Sequence, residues 1–171
     1  MLRNLIYITA LIMLCNAAIA QKVSKLYVSK ATETGILYFI KPREMPPAGK
    51  DIKPKEPVLY DVTIHSDKDT ADILMSITTL TPIVFDTVTF AYNDGESATH
   101  TLQKIYIDTK ERAFVGRYRC KLPKSELNTM FSCKRPFAIH FANGAKYAYK
   151  QRQWEKESKI YNTIAKLSEL N

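Results

Sequence analysis

The side chains best suited to chemistry are few and scattered: His65, His100 and His140, and Cys15, Cys120 and Cys133. A metal site needs several such ligands to converge, and neither H-x-x-x-H nor H-E-x-x-H occurs. His65 and His140 each fall in a run that reads as a strand, where a lone histidine is ordinarily solvated or singly hydrogen-bonded. A serine nucleophile on a G-x-S-x-G elbow is absent. Cys133 with His140 is the one cysteine–histidine pairing to weigh, and it fails if Cys133 is bridged. Paired-carboxylate glycoside hydrolysis would have to draw on Asp61, Asp67, Asp69, Asp72 or Asp86, all in or near strands and turns. A calcium loop counted from Asp67 needs Gly at its sixth place and Glu at its twelfth. Those places hold Asp72 and Thr78, so HSDKDTAD (65–72) reads as a polar turn. None of the five glycines lies in a phosphate-cradling pattern. No catalytic residue, metal ligand or cofactor is assigned.

What remains is electrostatic. The chain carries 25 Lys and Arg against 17 Asp and Glu, a net charge of +8. Basic residues crowd the two cysteines in RYRCK (117–121) and CKR (133–135). Twelve residues separate Cys120 from Cys133. A bridge closing so short a loop contributes about 3 kcal/mol by loop entropy. It would also gather Arg117, Arg119, Lys121, Lys134 and Arg135 into one patch able to meet phosphate, sulfate or carboxylate groups. The segment KYAYKQRQWEK (146–156) interleaves Lys146, Lys150 and Arg152 with Tyr147, Tyr149 and Trp154. The plainer alternative is solubilising charge spread over many faces.

The compartment decides how the cysteines are read. Arg3 is the only charge before Lys22, an apolar run extends from Leu5 to about Leu14, and Ala18 and Ala20 form an A-x-A site. This is the pattern of a secretory signal peptide over 1–20, cleaved between Ala20 and Gln21. The run is shorter than the roughly 20 apolar residues of a membrane span. The alternative, lipidation of Cys15, is disfavoured because Leu14 precedes it where a small residue is wanted, and cleavage downstream would discard it. Removal of 1–20 takes away Arg3 and no acid, lowering the net charge to +7. Cys120 and Cys133 then form an even pair in an oxidising compartment, which favours a disulfide. No transmembrane span is expected in the mature chain, and nucleic acid is not an expected partner.

The elements that must position these residues are mostly strands. KLYVSK (25–30) and GILYFIK (35–41) are β-prone, and 42–57, with five prolines, reads as a proline-rich surface loop. VLYDVTIHS (58–66) alternates with period two, and 71–80 and 85–93 follow as strands. NDGES (93–97) is a turn, HTLQKIYID (100–108) and AFVGRYRC (113–120) pair around TKER, and Asn143-Gly144 marks a hairpin within 136–150. Pro123 opens a short helix near 123–131. Beyond 151, Trp154, Ile160, Tyr161, Ile164, Leu167 and Leu170 recur at spacings of three and four, an amphipathic helix to about 169.

The order predicts a single mainly β domain over 21–171, an antiparallel β-sandwich or open barrel with the terminal helix packed on it. The outline is that of a bacterial-type secreted protein, an analogy that transfers no function. The expected function is a secreted or periplasmic, non-catalytic binding module of the cell envelope. Its expected partner is an envelope protein or an anionic glycan or lipid headgroup. The alternatives are a small hydrolase using His65 or His140 with an aspartate, or a structural component of a surface assembly.

Overall fold

A computed structural model describes residues 26–48, 56–92 and 96–169. The expected signal peptide over 1–20, Cys15 and the Ala20–Gln21 junction lie outside the described residues. The strands are β1 (Tyr27–Ala31), β2 (Ile36–Met45), β3 (Val58–His65), β4 (Thr70–Thr79), β5 (Thr87–Tyr92), β6 (Glu96–Thr101), β7 (Gln103–Lys110), β8 (Ala113–Pro123), β9 (Ala138–Phe141) and β10 (Lys146–Ala148). The helices are α1 (Lys124–Ser132) and α2 (Gln151–Glu169). Two antiparallel sheets form, one in the order β1-β2-β3-β4-β8-β7 and one in the order β10-β9-β5-β6. Neither closes on itself, so the architecture is an open sandwich and not a barrel.

Alternation decides which face of the large sheet is buried. Val58, Tyr60, Val62 and Ile64 of β3, Ala71, Ile73, Met75 and Ile77 of β4, and Tyr118, Cys120 and Leu122 of β8 all point inward. They share one core with Val88, Phe90, Ile139, Phe141 and Tyr147 of the small sheet. The helices complete it with Leu127, Met130 and Phe131 of α1 and Trp154, Tyr161 and Ile164 of α2. Phe137 sits at the junction of the layers, its ring 5.3–6.4 Å from those of Tyr60, Phe90, Phe131 and Trp154. Such edge and tilted contacts add to plain area burial. One face of the small sheet and two helices thus cover one face of the large sheet, and among the described residues the other face of the large sheet is left open.

Two elements depart from the sequence expectation. HTLQKIYID is not one strand. Leu102 turns inward, its N–H donating to the Asp86 carbonyl at 2.8 Å, and the chain passes from the small sheet (β6) to the large one (β7). The proline-rich stretch is not wholly a loop either. Strand β2 runs through Pro42 to Met45, with a break in register between Ile40 and Arg43 that accommodates a residue lacking an N–H. Pro47 then bridges to Tyr147, and Ala48 N–H donates to the Lys146 carbonyl at 2.7 Å, tying this segment to the edge strand β10. Residues 49–55 of that stretch, and 93–95 of the NDGES turn, lie outside the described residues.

The other local signals are realised. Gly144 takes φ 86°, and Asn143 Oδ1 accepts the Ala145 N–H at 3.0 Å, closing the β9–β10 hairpin. Pro123 ends β8 and caps α1 from outside, one position before the helix. Helix α2 spans Gln151–Glu169. Among the described residues no helix is long and apolar enough to cross a membrane.

Candidate functional site

The basic residues singled out from the sequence lie in two separate places. On β8, alternation turns Arg117, Arg119 and Lys121 away from the core, onto the open face of the large sheet. Arg117 there reaches across β4 to β3. Its Nη1 donates to Ser76 Oγ at 2.8 Å, and its Nη2 donates to the two Asp61 carboxylate oxygens at 2.5 and 3.0 Å. Arg119 Nη2 donates to Asp72 at 2.6 Å. Asp61 is only 1% exposed, although it lies on the open face. Burial pushes its carboxyl above the usual aspartate value, and Arg117 only partly pulls it back. Two of the five candidate contacts are therefore engaged in stitching strands together. Lys134 and Arg135 sit elsewhere, between α1 and β9, where the Lys134 carbonyl accepts a hydrogen bond from the Gln151 side chain at 2.9 Å.

The expected Cys120–Cys133 disulfide is not formed. Cys120 faces the core from β8, and Cys133 lies beyond the far end of α1. The nine residues of helix α1 lie between them in the chain. The Cys133 thiol donates instead to the Thr129 carbonyl at 3.0 Å, and its own carbonyl accepts the Trp154 indole N–H at 2.8 Å. Burial, with Glu126 and Asp72 nearby, pushes the Cys120 thiol up to about 12.

The histidines do not converge. His65 ends β3 on the open face. His100 faces inward from β6, where Nε2 hydrogen-bonds Glu126 Oε1 at 2.8 Å and joins the small sheet to α1. His140 lies on the outward face of the small sheet, opposite Lys146 in register. Burial lowers its pKa, and Lys146 adds to the effect. Among the described residues no three His, Cys, Asp or Glu side chains gather as a metal site.

What does form is a groove of about 550 Å³ on the open face of the large sheet. Its floor is a cross-strand row in which Glu44 of β2 lies opposite Leu59 of β3, and Leu59 opposite Ser76 of β4. Ser76 in turn lies opposite Arg117 of β8. Thr78 and Val115 form the next row, and Leu80 closes one end. Leu59 and Leu80 are 39% and 68% exposed, unusually open for leucines. Glu44 and Glu56 rim the β2–β3 side, and Lys110, Glu111 and Arg112 of the β7–β8 turn rim the other. Next to the floor, the Arg117–Asp61 pair locks the three strands that carry it. Sequence reasoning missed this site because its residues come from four separate segments of the chain. Their only local trace is Leu59, an apolar residue on the polar side of an alternating strand.

The chain matches no protein-family model, no curated protein and no solved structure.

Proposed function

We propose that this chain is a non-catalytic interaction module of the cell envelope, secreted or periplasmic, that holds a protein partner against the open face of its large sheet. The observation that carries the reading is the groove itself: exposed Leu59 on the floor and exposed Leu80 at one end, with charge at the rim. Specific protein interfaces have this anatomy, an apolar centre that desolvates inside a polar rim. The rim is also polarised. It is acidic at Glu44 and Glu56 and, apart from Glu111, basic at Lys110 and Arg112. That arrangement fixes the orientation of a partner of complementary charge. Six strands about 4.8 Å apart, each some eight residues long, offer on the order of 650 Å². This approaches the roughly 800 Å² each partner contributes to a standard interface. The signal-peptide pattern at the N-terminus supports the compartment.

The test is site-specific photo-crosslinking in the producing cell, with the reactive group placed at Thr78 in the groove or at Thr89 on the outward face of the small sheet. The expected result is one discrete adduct with an envelope protein at position 78 and none at 89, abolished by L59R/L80R at unchanged melting temperature. Equal labelling at both positions, no adduct at 78, or an adduct only with a second copy of the chain would overturn the reading.

A further inference from the structure

Helix α2 presents a second surface on a different side of the molecule. Arg152, Lys156, Lys159 and Lys166 recur at i, i+4, i+7 and i+14, and all four are exposed. On a helix of 3.6 residues per turn they fall within an arc of about 80°, along a line of about 21 Å. That arc is opposite Trp154, Tyr161 and Ile164, which are buried. Lys150, exposed just before the helix, and Lys134, whose carbonyl is tied to Gln151, extend the line past the helix start. Glu155 lies beside the arc, about 20° beyond its edge. Glu157 points inward and is held by a two-pronged contact from Arg43, so it neutralises none of these cations. None of the four stripe residues takes part in an ion pair among the described residues.

Two local rules are broken here together. The first turn of a helix favours acids, whereas α2 has none there and carries Arg152. Like charges four residues apart repel, and Arg152 and Lys156 are so placed. A sequence that gives up local stability on one exposed face does so where that face has another use. The use is not insertion into a bilayer. The apolar side of α2 is consumed by the core, and the exposed large hydrophobics (Val28, Leu59, Leu80, Val84, Ile105 and Tyr106) all lie elsewhere.

We propose that the α2 stripe binds a linear anionic polysaccharide. A straight row of cations matches a polymer that carries charge along its length, and the helix's Trp154, Tyr161 and Ile164 are buried, so among the described residues they offer the row no aromatic platform or apolar wedge. The contact is electrostatic, so its affinity falls steeply with salt.

The test uses the chain purified from the envelope fraction, titrated with polygalacturonate, and separately with vesicles of phosphatidylcholine containing phosphatidylglycerol. With four cations engaged, affinity for polygalacturonate should fall about 20-fold between 50 and 150 mM salt. The R152E/K156E/K159E variant should lose at least about tenfold in affinity at low salt, as expected when most such contacts are removed. R152E alone guards against a folding defect, because it should raise the melting temperature while weakening binding. K110E/R112E, at the groove, should bind polygalacturonate like the parent. Parent-like binding by the triple variant, tighter binding to vesicles than to polysaccharide, or equal loss in the groove variant would overturn the proposal. The crosslink at Thr78 should be indifferent to R152E/K156E/K159E, so the two surfaces stand or fall separately.

Discussion

Replacing Arg117 by methionine should expose the cost of burying Asp61. Methionine keeps most of the apolar stem that covers the carboxylate and removes the charge that offsets its burial. Asp61 is 1% exposed in its side chain and Arg117 is 21% exposed. In the wild type, burial already outweighs Arg117, since the Asp61 carboxyl titrates above its ordinary value. Breaking such a pair and leaving the buried member charged costs about 3 kcal/mol. For a chain of this length that lowers the melting temperature by about 6–12 °C at neutral pH. The sign with pH follows from linkage. An acid whose pKa is raised on folding binds more protons folded than unfolded through that window. Stability is therefore full below the ordinary aspartate value of 3.8 and is lost as pH rises through the folded value. Arg117→Met raises the folded value further, so its deficit should close on acidification towards pH 3.8 and open fully at neutral pH. Removing both charges in D61N/R117M should recover most of the loss. Thermal melts by circular dichroism of parent, R117M, D61N and D61N/R117M from pH 3.5 to 7.5 measure all of this. A deficit in R117M that does not change with pH, or a double variant no better than R117M, would refute the reasoning.

Four further outcomes are expected. A methyl added at Gly116 would lie 2.5 Å from the Tyr118 ring, which its hydroxyl pins to the Ile83 carbonyl at 2.8 Å. Gly116→Ala should therefore cost about 2 kcal/mol, read as a lower urea midpoint, and an unchanged midpoint would show that the ring can move. Glu111 holds a left-handed φ of 55° in the β7–β8 turn, so Glu111→Gly should stabilise by about 0.5 kcal/mol in the same assay. Because His140 is held below its ordinary value of 6.5, the fold should lose stability as pH falls through 6.5 and towards the folded value. His140→Gln should lack that component of the melting curve, and identical pH profiles would count against it. Cys120 and Cys133 should resist a thiol reagent in the native protein and both react on denaturation. An intact mass two hydrogens short would instead reveal a bridge.

Where local chemistry alone decides an element, the chain could be read directly. Period-two alternation in VLYDVTIHS placed β3, the run 71–80 read as a strand became β4, Asn143-Gly144 placed the last hairpin, and the three-four spacing after Gln151 placed α2. The mainly β class with a terminal helix follows from the order of those signals. The cationic stripe was also present in the spacing of Arg152, Lys156, Lys159 and Lys166, although only the burial of Trp154 and Tyr161 shows which side of the helix it faces. Other features depend on which strands become neighbours, and no local pattern carries that. The division of 96–110 between two sheets turns on one inward leucine, Leu102. Arg117 and Arg119 look like free cations in RYRCK. They are engaged because β8 pairs with β4, which brings Asp61 and Asp72 within reach from segments more than forty residues away. The cysteines look like a pair because twelve residues is a short loop, but no disulfide joins them, and the Cys133 thiol donates to the Thr129 carbonyl one turn back in α1. The groove is the plainest case. Apart from Leu59, the residues on its floor follow the alternation of their own strands, and only the register between strands sets Glu44, Leu59 and Ser76 in one row, because hydrogen-bonded pairing is a relation between distant segments.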